Sequence, residues 1–133
     1  MTVTASSTTP VVNQSFTLSG TLKAGSTPLS GKTIRLQRED PSGNWEQAVN
    51  TTTTNANGSY SFTWSESAQG QYRFEPTFDG AGAYASANAV IGITVGNVLE
   101  TEISILTTNS NPAVNQSFTV HGILQNGVSG APL

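Results

Sequence analysis

Between Asn55 and Ser65 the chain reads NANGSYSFTWS, a tight turn followed by strict alternation. Tyr60, Phe62 and Trp64 fall on one side, and Ser59, Ser61, Thr63 and Ser65 on the other. That spacing is the two-residue period of a strand; a helix would scatter the aromatics around its circumference. A strand with one apolar and one polar face belongs in an antiparallel sheet that is covered on one side only. The Asn-Gly pair before it tolerates the left-handed dihedrals that a tight reversal needs.

The rest of the chain follows the same grammar. Strands are predicted over residues 2–5, 15–23, 32–38, 45–54, 59–65, 71–78 and 87–95. Their inward positions are Phe16, Leu18 and Leu22, then Ile34 and Leu36, then Tyr72, Phe74 and Phe78, then Ala89, Ile91, Ile93 and Val95. Trp64 is in phase with this core; Trp45, just after a turn, is the more open case and is also read as core. Residues 24–31 (AGSTPLSG) and 40–44 (DPSGN) carry turn chemistry, and residues 79–86 form a Gly-rich loop with Tyr84. Charged residues are only 10% of the chain, against about 25% in an average soluble domain. β-branched Thr and turn-forming Asn, Ser and Gly take their place, and no stretch has a helical period. Seven short alternating strands separated by turns predict an all-β fold, an immunoglobulin-like antiparallel β-sandwich.

One block occurs twice. PVVNQSFTLSGTL starts at Pro10 and PAVNQSFTVHGIL at Pro112, an offset of 102 residues. That period suits a whole small domain rather than a solenoid unit. The chain therefore divides into a complete sandwich over residues 1–96, a linker over 97–100, and the start of a second repeat over 101–133, with strands A and B only. Met1 leads straight into TVTASS, and Val3 aligns with Ile105. A piece of a longer protein, with Met1 as an added start, is expected. Two strands bury no face of their own. Residues 101–133 can therefore be disordered, lie against the pole of the first domain, or replace the matching strands of another copy; disordered or loosely attached is expected first and exchange second.

The succession NQSFTLSGTL, PLSGKTIRLQ, TTTTNANGSYSFTW and GQYRFEPTFDGAGAYASA resembles the Ig-like repeats found in tandem in bacterial and archaeal surface proteins. The resemblance covers residues 3–95 and resumes at Ile103. It implies an extracellular or cell-surface location in stalks, adhesins or envelope proteins, with neighbouring Ig-like repeats as partners, and it does not imply catalysis. Residues 28–36 with 55–62 are also similar to the carboxypeptidase-regulatory, transthyretin-like sandwich; the repeat at 102 favours the first family.

A net charge of −3 and a pI near 4.8, with the five basic residues scattered, argue against nucleic acid and anionic membranes as partners. No apolar run approaches the roughly eighteen residues of a membrane-spanning helix. The one histidine, His121, stands where the first copy has Ser19, so it is read as a surface or strand-packing residue. No nucleophile elbow, phosphate loop or metal-ligand spacing occurs, and no catalytic, cofactor or metal residue is assigned. Asp79 and the Asn55–Asn57 pair faintly suggest a calcium loop, but hard cations want several carboxylates, and turn formation is the preferred role. Sequons at Asn13, Asn50, Asn57 and Asn115 are no more than Ser/Thr-rich composition produces. The expected function is a non-catalytic spacer. A ligand-binding module using residues 24–31, 55–58 and 79–86, with Tyr84 as first contact, and an accessory domain of a secreted hydrolase are the alternatives.

Overall fold

The computed structural model describes residues 1–127 and 132. Residues 128–131 and 133, the last part of the expected second repeat, lie outside the described residues. The chain forms two units, Met1–Asn97 and Val98–Leu133. Among the described residues every regular element is a strand.

The first unit contains β1 (Thr4–Ala5), β2 (Phe16–Thr21), β3 (Lys23–Ala24), β4 (Thr27–Pro28), β5 (Thr33–Glu39), β6 (Trp45–Thr53), β7 (Ser59–Trp64), β8 (Gly70–Phe78), β9 (Ala87–Asn88) and β10 (Ile91–Val95). One sheet has the order β1-β2-β7 and the other β10-β8-β5-β6, with β9 also on β8. All these pairings are antiparallel. The apolar faces of the two sheets meet in one core of Phe16, Leu18, Leu22, Ile34, Leu36, Tyr60, Phe62, Tyr72, Phe74, Phe78, Ile93, Val95 and Leu29. Phe74 is its centre: fully buried, it takes the rings of Phe16 and Trp64 edge-on at 5.7 and 5.9 Å from the opposite sheet. Apart from half-buried Ala89, the predicted inward set is therefore the observed core, with Trp64 and Ile91 partly buried against it. Leu29, placed by its neighbours in a turn, is buried as well.

Three departures from the predicted strands have local causes. The long final strand is broken between β9 and β10, opposite Pro76 and Glu75 of β8. Pro76 has no N–H to give, and only its carbonyl is used on that side, by the Ala89 N–H at 3.3 Å. Residues 24–31 are not one open turn, because β3 and β4 pair across Gly25, whose φ is +58°. Trp45 is not in the core. It pairs with Glu39, on the outward face of β5, and is 38% exposed beneath the Arg73 guanidinium.

Two hydroxyl groups tie the core to the backbone. Tyr72 donates to the Ala68 carbonyl at 3.0 Å. Tyr60 donates to the Thr2 carbonyl, passing directly over Gly20. A methyl group at position 20 would collide with both the Tyr60 hydroxyl and the Thr2 carbonyl, so only glycine lets β1 and Tyr60 close over β2. Burial pushes the Tyr60 phenol well above its ordinary pKa.

The second unit contains β11 (Thr101–Thr107) and β12 (Val120–Asn126), paired antiparallel. Its geometry repeats that of β1 and β2 at an offset of 102. Leu106 faces His121 and Thr107 faces Val120, as Thr4 faces Ser19 and Ala5 faces Leu18. Thr108 N–H donates to the Thr119 carbonyl, as Ser6 N–H does to that of Thr17. Gln116 Oε1 accepts from Ala113 N–H at 3.0 Å, as Gln14 Oε1 does from Val11 N–H. Asn13 and Asn115 share a left-handed φ of 61° and 65°.

Replacing Phe74 by Ala is expected to cost about 3–5 kcal/mol in urea unfolding, because the Phe16 and Trp64 rings of the opposite sheet lose their partner. Tyr72→Phe, which removes one hydrogen bond and no packing, is expected to cost about 1 kcal/mol.

Candidate functional site

The three loops singled out in the sequence all come to one pole of the first unit. Leu22, at the end of β2, donates its N–H to the Gly58 carbonyl at 2.8 Å and accepts from Leu29 N–H at 3.1 Å. Gly58 sits at φ +71°, where a Cβ would stand 2.5 Å from the Leu22 carbonyl oxygen, so the turn and the β3–β4 hairpin interlock only around a glycine. Buried Thr54 extends the weld: its hydroxyl donates to the Leu29 carbonyl at 2.6 Å and accepts from Lys32 N–H at 2.9 Å. The Asn55 side-chain oxygen accepts from the Asn57 and Ser59 N–H groups at 2.9 and 3.0 Å.

Residues 79–86 close the pole from the other sheet. Ala81 and Tyr84 exchange backbone hydrogen bonds at 3.1 Å, and Gly80 takes φ +87°. Arg35 grips the Asp79 carboxylate through both Nε and Nη2. That hydrogen bonding holds the Asp79 carboxyl below the usual carboxylate range. Lys32 Nζ lies 5.3 Å from the centre of the Tyr84 ring, which is 40% exposed. Beside it is an open depression of about 290 Å³ lined by Lys32, Thr33, Phe78, Asp79 and Gly80. It offers the Lys32 ammonium, the Thr33 hydroxyl, an aromatic edge and backbone groups, with the Asp79 carboxylate already held by Arg35. That combination can contact a polar surface.

The oxygens that suggested calcium are occupied, Asp79 by Arg35 and Asn55 by backbone N–H groups. Among the described residues no three metal-ligating side chains converge. His121 is exposed on β12, opposite Leu106. The four sequon asparagines are all exposed.

At the opposite pole is a cluster absent from the sequence reading. Arg38 on β5 reaches across the sandwich to Glu66, just past β7, with Nε–Oε1 at 2.6 Å and Nη2–Oε2 at 3.1 Å. Its third nitrogen meets Glu46 at 2.8 Å, and Trp64 Nε1 donates to Glu66 at 2.8 Å. The guanidinium also lies 5.0 Å above the Tyr72 ring. Burial opposes the Arg38 charge, but the hydrogen bonds to Glu66 and Glu46 outweigh it and raise its pKa. The signal was in the alternation: Arg38 continues the inward phase of Ile34 and Leu36, and Glu66 that of Tyr60, Phe62 and Trp64. Two opposite charges at in-phase ends of facing strands predict a bridge between the sheets.

Comparison with protein-family models, with curated proteins and with solved structures returns no match.

Glu66→Ala, which leaves a mostly buried Arg38 with one carboxylate, is expected to destabilise the first unit by about 3 kcal/mol. The double variant Arg38→Met/Glu66→Leu is expected to recover most of that loss in a double-mutant cycle. Because Arg35 and the Asn55 turn already occupy the candidate oxygens, melting temperatures in millimolar CaCl2 and in EDTA are expected to coincide.

Proposed function

We propose that the first unit is a non-catalytic, immunoglobulin-like spacer repeat of an extracellular or cell-envelope protein, holding neighbouring domains away from a surface. The observation that carries this reading is where the chain enters and leaves. Thr2 N–H bonds the Thr21 carbonyl at the pole of the three loops. Gly96 N–H bonds the Pro10 carbonyl at the opposite pole, beside the Asn13–Glu66 backbone bond. A repeat threaded from pole to pole adds its long axis to an array. With nine residues in β8 rising about 3.4 Å each, plus end loops, each repeat contributes roughly 40 Å.

The immunoglobulin-like assignment is supported by strand order and by one corner. The order β1-β2-β7 against β10-β8-β5-β6 follows the A-B-E and G-F-C pattern of such sandwiches, with β6 added beside C. The bond from Tyr72, early in β8, back to Ala68 is like the tyrosine corner of that architecture. Phe74, two residues on, stands where antibody domains place the second cysteine of their inter-sheet disulfide, and it meets Phe16 of β2. The second unit, which repeats the strand register and turn bonds of β1–β2, supports a tandem arrangement. A charge-poor, Thr/Ser/Asn-rich composition supports an extracellular setting.

A binding module is the second reading, favoured by the convergence of three loops and the Lys32–Tyr84 pair at one pole. The two readings separate on glycan and protein arrays. A spacer is expected to give no signal above background. A specific signal abolished by Tyr84→Ala would transfer the function to the loop pole.

A further inference from the structure

The face of the second unit that corresponds to the buried face of β1–β2 is open. In the first unit Phe16, Leu18 and Leu22 are 2%, 0% and 1% exposed. Their counterparts Phe118, Val120 and Leu124 are 50%, 56% and 47% exposed, and Ile103 and Ile105 beside them are 70% and 71% exposed. Register places Ile103 opposite Leu124, Ile105 opposite Gly122 and Thr107 opposite Val120, so these side chains share one face. The other face carries Glu102, Ser104, Thr119, His121 and Gln125, with Leu106 and Ile123 among them. In the first unit β7 runs along β2, pairing Phe16 with Trp64, Thr17 with Thr63 and Ser19 with Ser61. Among the described residues no strand takes that place beside residues 118–123.

We propose that β11–β12 is an interchangeable duplicate of β1–β2, and that it seats on β7 and the core of a second copy of this chain, displacing that copy's own β1–β2. The large apolar positions that must fit are matched, and the one polar change on this face is Thr107 at the position of half-buried Ala5. Phe118 and Leu124 repeat Phe16 and Leu22, and Val120 is one methylene smaller than Leu18. Ile103 and Ile105 replace Met1 and Val3 with apolar groups of similar volume. Gly122 keeps clear the space that the Tyr60 hydroxyl requires over Gly20. The larger changes, Ser19 to His121, Thr4 to Leu106 and Thr21 to Ile123, are on the face that does not enter the core. Pre-paired strands in the native register lose less backbone entropy on seating than a free segment would.

The exchanged and separate states contain the same number of seated strand pairs, so protein concentration sets the balance between them. The displaced β1–β2 must leave first, which makes exchange slow unless the unit is opened. One copy's donor and the next copy's acceptor are different surfaces, so the contact is head-to-tail and produces chains as well as closed pairs.

The chain has no cysteine, so introduced thiols report the register directly. In the exchanged state Thr119 lies beside the second copy's Thr63, as Thr17 does beside Thr63 within the first unit. The full-length Thr63→Cys/Thr119→Cys variant, taken through a melting and cooling cycle at high concentration and then oxidised, is expected to form disulfide-linked dimers and a ladder. Thr63→Cys/Ser104→Cys, with the second thiol on β11 at the position of Thr2, is expected to give severalfold less. Adding Leu18→Ala to the first variant, which weakens the resident strand pair, is expected to raise the linked fraction severalfold, and adding Val120→Asp to abolish it. The unsubstituted chain after the same cycle is expected to show a dimer by light scattering that Val120→Asp removes. No linkage, equal linkage in the Ser104 control, or a disulfide closed within one chain would overturn the proposal.

Discussion

An alternating strand pair has an apolar face that water will not tolerate, and everything in this molecule follows from how that face is covered. In the first unit, the inward residues of β2 and β7 meet those of β5, β8 and β10, and Phe74 receives rings from the opposite sheet. The second unit builds the same strand pair, in the same register, with its apolar face half open. Backbone hydrogen bonds and turn chemistry are common to both copies, so they are written into the local sequence. Burial is not. It is supplied only where β7 and the second sheet are present.

The poles show how a sandwich without a disulfide keeps its sheets in register. At one end the closure is polar: Thr54, Gly58 and Asn55 satisfy backbone groups of the β3–β4 hairpin and the 55–58 turn, and Arg35 holds Asp79 of the third loop. At the other, Arg38 and Glu66 span the sheets, with Glu46, Trp64 and Tyr72 completing the arginine's surroundings. Buried ion pairs add little net stability over a well-packed apolar pair, because both charges lose their hydration. Their geometry is demanding, however: a one-residue slip of β5 against β8 would turn Arg38 out to solvent and leave Glu66 buried without its partner. The cluster therefore fixes register more than it adds stability. On the outer face the exposed pairs Arg35–Asp79 and Arg73–Glu39 contribute little more than local order. Hydrogen bonds from these arginines hold the Asp79 and Glu39 carboxyls below their ordinary range. Whatever these pairs contribute is present above that range and is lost as pH falls through the lowered values.

Period two was enough to read the fold, because each inward residue declares its face regardless of what it meets. It was not enough wherever pairing, rather than period, decides direction. Trp45 illustrates this: a turn of fixed length between Glu39 and Trp45 sets these two opposite each other, and Glu39 is out of phase with Ile34 and Leu36. Reading across the turn, rather than along the strand, places the indole outside. Farther along β6 the register shifts opposite Gln37, and Ala48 takes φ +52°, a distortion no residue type announces. Arg38 and Glu66 are legible by phase, as charged residues that continue the inward alternation of Ile34 and Leu36 and of Tyr60, Phe62 and Trp64. The gap between β9 and β10 was legible in Pro76, one strand away. The convergence of the loops was not legible at all, since it depends on which strands become neighbours, a property of the closed sandwich.

The duplicate strand pair sharpens the distinction between what a segment encodes and what it needs. Asn115 adopts the left-handed turn of Asn13, and Gln116 caps Ala113 as Gln14 caps Val11, with no β7 beside them. A segment that arrives already folded back on itself, with its glycine in place and its apolar side chains aligned, has lost most of the freedom that docking removes. What it still lacks is specificity for one particular cover. The outward changes at 106, 121 and 123 alter the wet face, while the apolar positions keep their pattern apart from Thr107 at the position of Ala5. A duplicated strand pair that keeps its apolar face and varies the other keeps its local fold, and the proposed exchange rests on that property.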